Sequence, residues 1–453
     1  MSKIYHLFLE CNSQVSTDSR KVEGGSLFFA LRGENFDGND FAHTALESGA
    51  KWVIADREEL RDTDPRIIIV ENSLTALQNL ATEHRETLGI KIIALTGTNG
   101  KTTTKELLKC ALETSYNYVG ATKGNLNNDI GVPLTLLSFN RDTEIAIVEM
   151  GANHPDEIAL LCSIALPDAG LITNIGRAHL EGFGSVEGII KTKGELYDYL
   201  SLNCGLAFYN SDDETLTSMI HLREGLYSLP YSGKDGIGKE LRLFGGYNQL
   251  NAAAALAIST FFECDKDKVI EALSTYESTN NRSEVIERTP HLNRLVVDCY
   301  NANPSSMEVA ITEFLDNPTT APKVLILGSM KELGKYSLSE HRKVIELCTR
   351  ADRVILIGEE FSDVPPTSYD KKSHQKIEFY KSSQEVKQKL EGSEIRESSK
   401  IRESSGIRES SGIRESSGIR ESSGIRESSG ITGCEVLLKG SRSNRLEQLL
   451  EIL

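Results

Sequence analysis

An apolar run in this chain ends in a short loop that carries two glycines, a lysine and three threonines. Glycines let backbone N–H groups turn toward an anion, Lys101 can reach outer phosphates, and the Thr102 hydroxyl can bind a magnesium ion. The first glycine of the usual phosphate-binding loop falls on Leu95, so this loop is a shortened variant, and an ordinary glycine turn is the alternative. We predict a nucleoside triphosphate site built from Gly97, Thr98, Asn99, Gly100, Lys101, Thr102 and Thr103.

Two more candidates follow predicted strands of the same sheet. Residues 144–150 are predicted to form a buried strand that ends near Glu149, and residues 169–175 a strand that leads to His179. Nucleotide-binding sheets hold their metal ion at such strand ends, so both side chains are candidate magnesium ligands. The alternatives are a solvent-exposed acid for Glu149 and a hydrogen-bonding loop residue for His179.

A predicted helix over residues 185–200 carries a lysine on its apolar side. Lys193 falls within a stripe at three-to-four spacing, whereas Lys191 points elsewhere; the stripe consists of Val186, Ile189, Ile190, Leu196, Tyr197 and Leu200. Burial favours the neutral amine, which can react or capture carbon dioxide as a carbamate, and a carbamate would bind a metal ion. A lysine that extends to the surface is the alternative.

Amide side chains stand at the head of an alanine-rich helix that begins near Asn248. Amides suit contacts to a base or a ribose, so Asn248 is a candidate nucleotide contact. An alanine-rich helix also packs closely against a sheet without any such role.

The elements around these residues alternate between strands and helices, which predicts an α/β protein. We predict a small α/β domain over residues 1–88 that closes with a helix over 73–88. Residues 89–280 are predicted to form a mostly parallel sheet that carries the nucleoside triphosphate site, and residues 281–453 a Rossmann-like domain. Ligands of parallel sheets bind at the carboxyl ends of the strands, where the candidate residues fall. The predicted strands are 26–31, 52–55, 67–70, 92–96, 144–150, 169–175, 206–210, 295–298, 324–328, 354–358, 377–380 and 435–439.

A low-complexity block, residues 395–430, interrupts the third domain with six copies of a hexapeptide Ile-Arg-Glu-Ser-Ser-Gly, the first ending in Lys400. One apolar residue in six cannot support a packed core, so we predict a flexible surface insertion. A short β-solenoid or an adhesive segment is the alternative.

Composition limits the classes of partner. A net charge of −16 argues against a nucleic-acid backbone or an anionic membrane. The eight cysteines show none of the paired short spacings typical of zinc or redox sites, and no apolar run reaches membrane-spanning length. We therefore expect a cytoplasmic protein with reduced thiols, no membrane insertion and a monomeric state.

Taken together, the motifs resemble the Mur ligase family, the ATP-dependent amide-forming enzymes that build the peptidoglycan precursor. The resemblance spans nearly the whole chain and rests on residues 17–22, 27–33, 96–103, 124–133, 300–304, 330–334 and 439–441. The Tyr-Asn-Ala-Asn-Pro segment 300–304 resembles the corresponding segment of one branch of the family, the ligases that add D-alanyl-D-alanine to UDP-N-acetylmuramoyl-tripeptide. The Asp-Asn-Pro-Arg motif of the sister ligase that adds the third amino acid does not occur in the sequence.

The resemblance implies roles for individual residues. Lys101 and Thr102 would hold the ATP phosphates and a first Mg2+ with help from Glu149, while His179 and a carbamylated Lys193 would hold a second Mg2+. Asn248 would contact adenine, and Arg282 and Asp298 would close over the nucleotide. The implied catalytic residues are Lys101, Lys193, Glu149 and His179, and the implied substrate contacts are Ser19, Arg20, Asn125, Asn128, Tyr300, Asn301 and Asn303.

The sequence departs from the family pattern at three positions. Asn39 and Tyr247 stand where histidines are usual, and Asn281 replaces the glycine before Arg282. Another ligase of the family, a folylpolyglutamate synthetase, and a non-catalytic nucleotide-binding scaffold are the alternative functions. The third residue of the tripeptide, lysine or diaminopimelate, stays open at this point.

Overall fold

The computed structural model describes residues 1–178, 180–278, 281–287, 289, 291–365, 377–391 and 431–453. They belong to two compact units, Met1–Leu241 with Tyr247–Tyr276 and Arg242–Gly246 with Glu277–Leu453. The predicted insertion 395–430 and the candidate ligand His179 lie outside the described residues. The α/β class with mostly parallel sheets is confirmed.

The first unit begins with a parallel sheet of strand order β1-β2-β5-β6. The three residues of β2 are all buried, as expected for a parallel strand covered on both faces. The asparagine cap Asn72 accepts a hydrogen bond from Thr75 N at 2.8 Å, and Gly89 ends α3 at φ +64°, so both predicted ends of that helix are confirmed. The elements are α1 (Lys3–Glu10), β1 (Val15–Ser16), β2 (Leu27–Phe29), β3 (Arg32–Gly33), β4 (Phe36–Asp37), α2 (Ala42–Glu47), β5 (Trp52–Ala55), β6 (Ile67–Ile69) and α3 (Ser73–Leu88).

A second parallel sheet in the same unit has strand order β12-β11-β10-β7-β9-β8. The chain leaves β7 toward β8 and β9 on one side and later reaches β10 on the other. Ligands bind at such a switch point, beyond the carboxyl ends of the strands. The elements are β7 (Lys91–Thr96), α4 (Lys101–Leu112), β8 (Val119–Ala121), α5 (Gly131–Leu137), β9 (Ile145–Glu149), α6 (Glu157–Ala165), β10 (Ala169–Ile172), α7 (Leu180–Phe183), α8 (Val186–Leu202), β11 (Leu206–Asn210), α9 (Glu214–His221), β12 (Tyr227–Tyr231), α10 (Tyr247–Phe261) and α11 (Lys266–Thr275).

The second unit holds a sheet of order β13-β14-β18-β15-β16-β17, in which only the β13–β14 pair is antiparallel among the described strands. Apolar clusters cover both faces, one including Phe314, Leu325 and Leu437 and the other Leu295, Ile326 and Leu438. The elements are β13 (Glu284–Ile286), β14 (Arg294–Asp298), α12 (Pro304–Asp316), β15 (Lys323–Gly328), α13 (Ser337–Leu347), β16 (Arg353–Ile357), α14 (Glu359–Ser362), β17 (Ile377–Tyr380) and β18 (Glu435–Lys439).

The structure differs from the sequence-based strands in a few places. Strand β10 ends at Ile172 rather than at residue 175, and the sequence did not predict β1, β3, β4, β8, β12 and β13. Strand β12 is an edge strand that contains Pro230 and exposes Tyr227, so it lacks an alternating pattern. Among the described residues, no helix is both long enough and apolar enough to cross a bilayer.

Candidate nucleotide and metal site

The loop between β7 and α4 needs glycine at two positions. Gly97 has φ +140°, and a Cβ there would lie 2.0 Å from Thr173 Oγ1. Gly100 caps α4 at φ +79°, and its Cβ would lie 2.8 Å from Asn251 Oδ1. Neither conformation suits an L side chain, so the backbone itself occupies the space in front of the first turn of α4.

The end of β10 holds this loop in place. Thr98 N donates to Asn174 O at 3.0 Å, and Asn99 N donates to Asn174 Oδ1 at 3.0 Å. Thr173 Oγ1 donates to Asn99 O at 2.6 Å. These contacts fix the loop against the neighbouring strand, and Thr173 and Asn174 were not singled out from the sequence because they lie more than seventy residues away.

Lys101 is the first residue of α4, and its side chain folds back over the loop. Its Nζ donates to Gly97 O at 2.7 Å and to Thr98 O at 3.3 Å. The ammonium therefore lies on the same side as the N-terminus of α4, where both the charge and the helix dipole favour an anion. Thr103 follows on the first turn of α4, and its role in nucleotide binding stays a prediction.

Glu149 joins the loop to two other segments. Its carboxylate accepts hydrogen bonds from Thr102 Oγ1 at 2.9 Å and from Asn127 Nδ2 at 2.9 Å. Glu149 is 2% exposed, and no ion pair links it to a basic residue among those the structure describes. A buried carboxylate held by two neutral donors fits a divalent cation, since Mg2+ is commonly bound by one carboxylate, a hydroxyl and phosphate oxygens.

Lys193 is buried on α8, whereas Lys191 is exposed. Burial, together with the nearby charge of Lys101, lowers the pKa of Lys193 from 10.5 to about 7. The Lys193 Nζ lies 5.5 Å from the centroid of the Phe183 ring, and no hydrogen bond joins it to another described residue. The predicted inward orientation is confirmed, although Val186 of the predicted stripe is exposed.

Comparison with known proteins adds the decisive observation. Three family models match successive parts of the chain: the catalytic domain of the Mur ligase family matches residues 13–95, the Mur ligase middle domain 95–235, and the Mur ligase glutamate ligase domain 281–395. The UDP-N-acetylmuramoyl-tripeptide–D-alanyl-D-alanine ligase of Bacillus subtilis (strain 168) is 36% identical over 368 residues, 76% of this chain and 79% of that protein. The chain belongs to the Mur ligase family.

Other relatives agree with this membership. The Escherichia coli (strain K12) protein of the same name is 35% identical over 76% of this chain and 81% of its own length. Among solved structures, MurF ligase from Thermotoga maritima in complex with ADP has a TM-score of 0.77 at 27% identity, covering 100% of this chain and 98% of that one. MurF from Acinetobacter baumannii has the same TM-score at 26% identity, covering 96% and 92%.

Within this Mur ligase, Asn248 lies at the start of α10 and is fully buried. Asn251 Nδ2 donates to Asn248 Oδ1 at 2.9 Å, and Thr104 Oγ1 donates to Asn251 Oδ1 at 3.1 Å. The side chain is thus tied to the phosphate-loop helix α4. Its contact with adenine stays a prediction.

The loop that follows β8 contains the predicted contacts Asn125 and Asn128. Asn128 Oδ1 accepts a hydrogen bond from Gly131 N at 2.8 Å and so helps to start α5. Asn127, which sequence reasoning did not select, is the residue that holds Glu149. The sequence shows three asparagines within four positions, and only the fold distinguishes them.

The N-terminal sheet positions Ser19 and Arg20 on a short turn. Arg20 Nε and Nη2 donate to the two carboxylate oxygens of Asp18 at 2.8 and 2.9 Å, and the Arg20 side chain is otherwise exposed. Asn39, one of the departures, is buried and donates to both Asp37 Oδ1 at 2.7 Å and Asp56 Oδ1 at 2.8 Å. The asparagine therefore joins two carboxylates within this sheet's loops.

The second unit holds the remaining candidates at the carboxyl end of β14. The Asp298 carboxylate pairs with Lys439 Nζ at 2.5 Å, and the Arg282 guanidinium lies 3.9 Å from the centroid of the Tyr300 ring. Asn281, the third departure, adopts φ +57°, a conformation that asparagine tolerates better than most residues, which accounts for its presence where glycine is usual.

Two further candidates in that unit have local structural roles. Asn303 Oδ1 accepts from Ser306 N at 2.9 Å, and Ser306 Oγ accepts from Asn303 N at 3.1 Å, so Asn303 forms a capping box for α12. Asn301 Oδ1 accepts from Ala302 N at 2.9 Å. Their roles in substrate binding stay predictions.

Proposed function

We propose that this chain is the ATP-dependent ligase that joins D-alanyl-D-alanine to UDP-N-acetylmuramoyl-tripeptide in the synthesis of the peptidoglycan precursor. The observation that carries the proposal is the match to relatives of that name at 35–36% identity over 76% of the chain. The phosphate loop and the buried Glu149 beside it support ATP as the energy source. The use of ATP is also our reason to propose a cytoplasmic location.

The reaction has two steps. In the first, a carboxylate oxygen of the tripeptide attacks the γ-phosphorus of ATP, the bond to the bridging oxygen breaks, and an acyl phosphate and ADP form. In the second, the amine nitrogen of D-alanyl-D-alanine attacks the acyl carbon, phosphate leaves, and the nitrogen loses a proton. Charge accumulates on the transferring phosphoryl group, so positioning and electrostatic stabilisation supply most of the catalysis.

The residues of the first unit suit the first step. The N-terminal amides of α4 and the Lys101 ammonium would bind the β- and γ-phosphates, and Thr102 and Glu149 would hold a magnesium ion. When bound, magnesium would neutralise phosphate charge. Gly97 and Gly100 leave no side chain between the loop and the phosphates.

We also propose that Lys193 carries a carbamate and, with His179, holds a second magnesium ion. A pKa of about 7 leaves about half of the Lys193 amines neutral at pH 7, and the neutral amine adds carbon dioxide with release of one proton. A carbamate would replace a buried cation by an anion that offers oxygen ligands. Lys193 lies close enough to Lys101 for the charge of Lys101 to lower its pKa, and this proximity to the phosphate loop supports the assignment.

The remaining assignments complete the proposal. Ser19, Arg20, Asn125 and Asn128 would contact the UDP-sugar substrate, Asn248, Arg282 and Asp298 the nucleotide, and Tyr300, Asn301 and Asn303 the dipeptide. The domain limits 1–88, 89–280 and 281–453 are likewise proposed, with one parallel or mostly parallel sheet of four or six strands in each range.

Product analysis tests this function. The purified protein is incubated with ATP, Mg2+, D-alanyl-D-alanine and UDP-N-acetylmuramoyl-tripeptide that carries lysine or diaminopimelate at its third position. We expect mass spectrometry to show the pentapeptide product with at least one of the two tripeptides. Faster turnover of the UDP-dipeptide with free diaminopimelate would assign the chain to the sister ligase instead.

A further inference from the structure

We propose that Lys105 and Thr122 form a positioning pair that holds Glu149 and the loop of residues 122–128 in register with the phosphate loop. The inference rests on the proposed function, because it concerns how the same site aligns its substrates. Neither residue belongs to the motif that signals nucleotide binding, and neither touches a substrate in this proposal.

Lys105 is a buried cation on the phosphate-loop helix. It lies one turn after Lys101 on α4 and is 1% exposed. Its Nζ donates to Thr122 O at 2.6 Å and pairs with the Glu106 carboxylate at 2.8 Å. A buried ammonium is costly unless it is paired and hydrogen-bonded, so both contacts are needed to keep it there.

The next lysine on the same helix provides the contrast. Lys109 lies one turn after Lys105, its side chain is 38% exposed, and it pairs with Glu113 at 3.2 Å in solvent. An exposed i,i+4 pair of this kind contributes little to stability. Burial is therefore specific to Lys105, which reaches across to the residue that follows β8.

Thr122 connects this lysine to Glu149. It is 1% exposed, and its Oγ1 accepts a hydrogen bond from Glu149 N at 2.9 Å. Its own N donates to Ile147 O at 3.0 Å. Thr122 is thus hydrogen-bonded to α4 through its carbonyl and to β9 through its side chain and amide. A displacement of Lys105 would therefore also displace Thr122 and the backbone of Glu149.

Asn127 fastens the other end of the loop. Its Nδ2 donates to Glu149 Oε1 at 2.9 Å, and its O accepts from Gly151 N at 2.7 Å. A Cβ on Gly151 would lie 3.0 Å from the Asn127 side chain, so the two segments are in close contact. The loop that carries Asn125 and Asn128 is therefore held at both ends against β9, and Lys105 ties it to the helix that holds the phosphates.

The first test replaces Lys105 by methionine, which keeps the length of the side chain and removes its charge. We expect faster amide hydrogen exchange in residues 122–128. We also expect the KM for UDP-N-acetylmuramoyl-tripeptide and the Mg2+ concentration for half-maximal rate to increase about tenfold each. An increase of this size corresponds to the loss of one buried hydrogen bond from a charged donor. The KM for D-alanyl-D-alanine should stay unchanged. Lys109→Met is the matched control and should match the wild type in all four measurements.

A second pair of variants keeps the proposal testable if Lys105→Met does not fold. Thr122→Val preserves shape but removes the acceptor for Glu149 N, and Thr122→Ser restores it. We expect Thr122→Val to raise the Mg2+ requirement and the rate of amide hydrogen exchange in residues 122–128. Thr122→Ser should return both to the wild-type level.

A purely structural role would give a different result. The proposal would be overturned if Lys105→Met and Thr122→Val only lowered the melting temperature. In that case the amide exchange of residues 122–128, the KM for UDP-N-acetylmuramoyl-tripeptide and the Mg2+ requirement would all stay at their wild-type values. Hydrogen exchange does not depend on turnover, so it tests this pair even in an enzyme that does not use D-alanyl-D-alanine. Failure of the wild type to use D-alanyl-D-alanine would refute the proposed function but not the positioning pair.

Discussion

The buried amine of Lys193 makes a prediction whose size follows from the structure. With a pKa of about 7, about three quarters of the Lys193 side chains are neutral at pH 7.5, whereas an ordinary lysine at 10.5 is neutral in about one molecule in a thousand. Since only the neutral amine adds carbon dioxide, the buried Lys193 should form a carbamate far more readily than an ordinary exposed lysine. The perturbations are therefore Lys193→Met and the matched Lys191→Met.

The assay is 13C NMR of the protein in 13C-labelled bicarbonate. We expect a protein carbamate signal in the wild type and in Lys191→Met, and its loss in Lys193→Met. The Lys193→Met variant should remain folded but nearly inactive, and a short carboxylic acid such as acetate should partly restore Lys193→Ala. An unmodified Lys193 in a fully active, bicarbonate-supplied enzyme would refute the reasoning.

The same lowered pKa predicts a stability difference in buffers free of carbon dioxide. The folded protein releases the Lys193 proton near pH 7 and the unfolded chain near 10.5, so the stability of the wild type relative to Lys193→Met is highest above 10.5 and falls as pH drops toward 7. The difference between 10.5 and about 7 corresponds to about 5 kcal/mol in total, at about 1.4 kcal/mol per pKa unit. Urea unfolding at several pH values measures it, and equal pH dependence in both proteins would contradict the shift.

Three other changes test separate parts of the site. Glu149→Gln keeps the shape of the side chain but removes its charge, so it should raise the Mg2+ requirement at least tenfold with little loss of stability; wild-type Mg2+ dependence would remove Glu149 from the metal site. Gly97→Ala should cost about 1–3 kcal/mol and abolish ADP binding in a calorimetric titration, because its Cβ would meet Thr173 Oγ1 at 2.0 Å; ADP affinity at the wild-type level would contradict the phosphate-loop assignment. Deletion of residues 395–430 with a glycine–serine joint should leave turnover and melting temperature nearly unchanged, and a loss of several degrees would show that the repeats pack or bind.

Local signals were enough to predict much of the fold. Helix α3 has the bounds 73–88 that the sequence predicted, and its cap Asn72 and terminal Gly89 adjoin them, because caps act within a few residues. Strands β11 and β18 each have an apolar centre, residues 206–209 and 436–438, and both are bounded as predicted. The phosphate loop is likewise local, since its glycines, Lys101 and Thr102 are adjacent in sequence.

Contacts across the sheet could not be predicted in this way. Asn127 and Thr122 reach Glu149 from 22 and 27 residues away, and Asn174 reaches Asn99 from 75. Each is a small polar residue of a type that also serves as a turn or a cap, so its partner is decided by the strand order rather than by its neighbours in sequence. The burial of Lys105 was missed for the same reason, because its acceptor Thr122 lies on a different segment.

Phosphate release tests the central claim most directly. The protein is supplied with ATP, Mg2+ and UDP-N-acetylmuramoyl-tripeptide, and inorganic phosphate is followed with and without D-alanyl-D-alanine. The proposed function predicts sustained release only when both substrates are present, with one phosphate formed for each amide. Sustained release that does not respond to D-alanyl-D-alanine, or ATP binding without any release in its presence, would contradict the assignment as a D-alanyl-D-alanine-adding ligase.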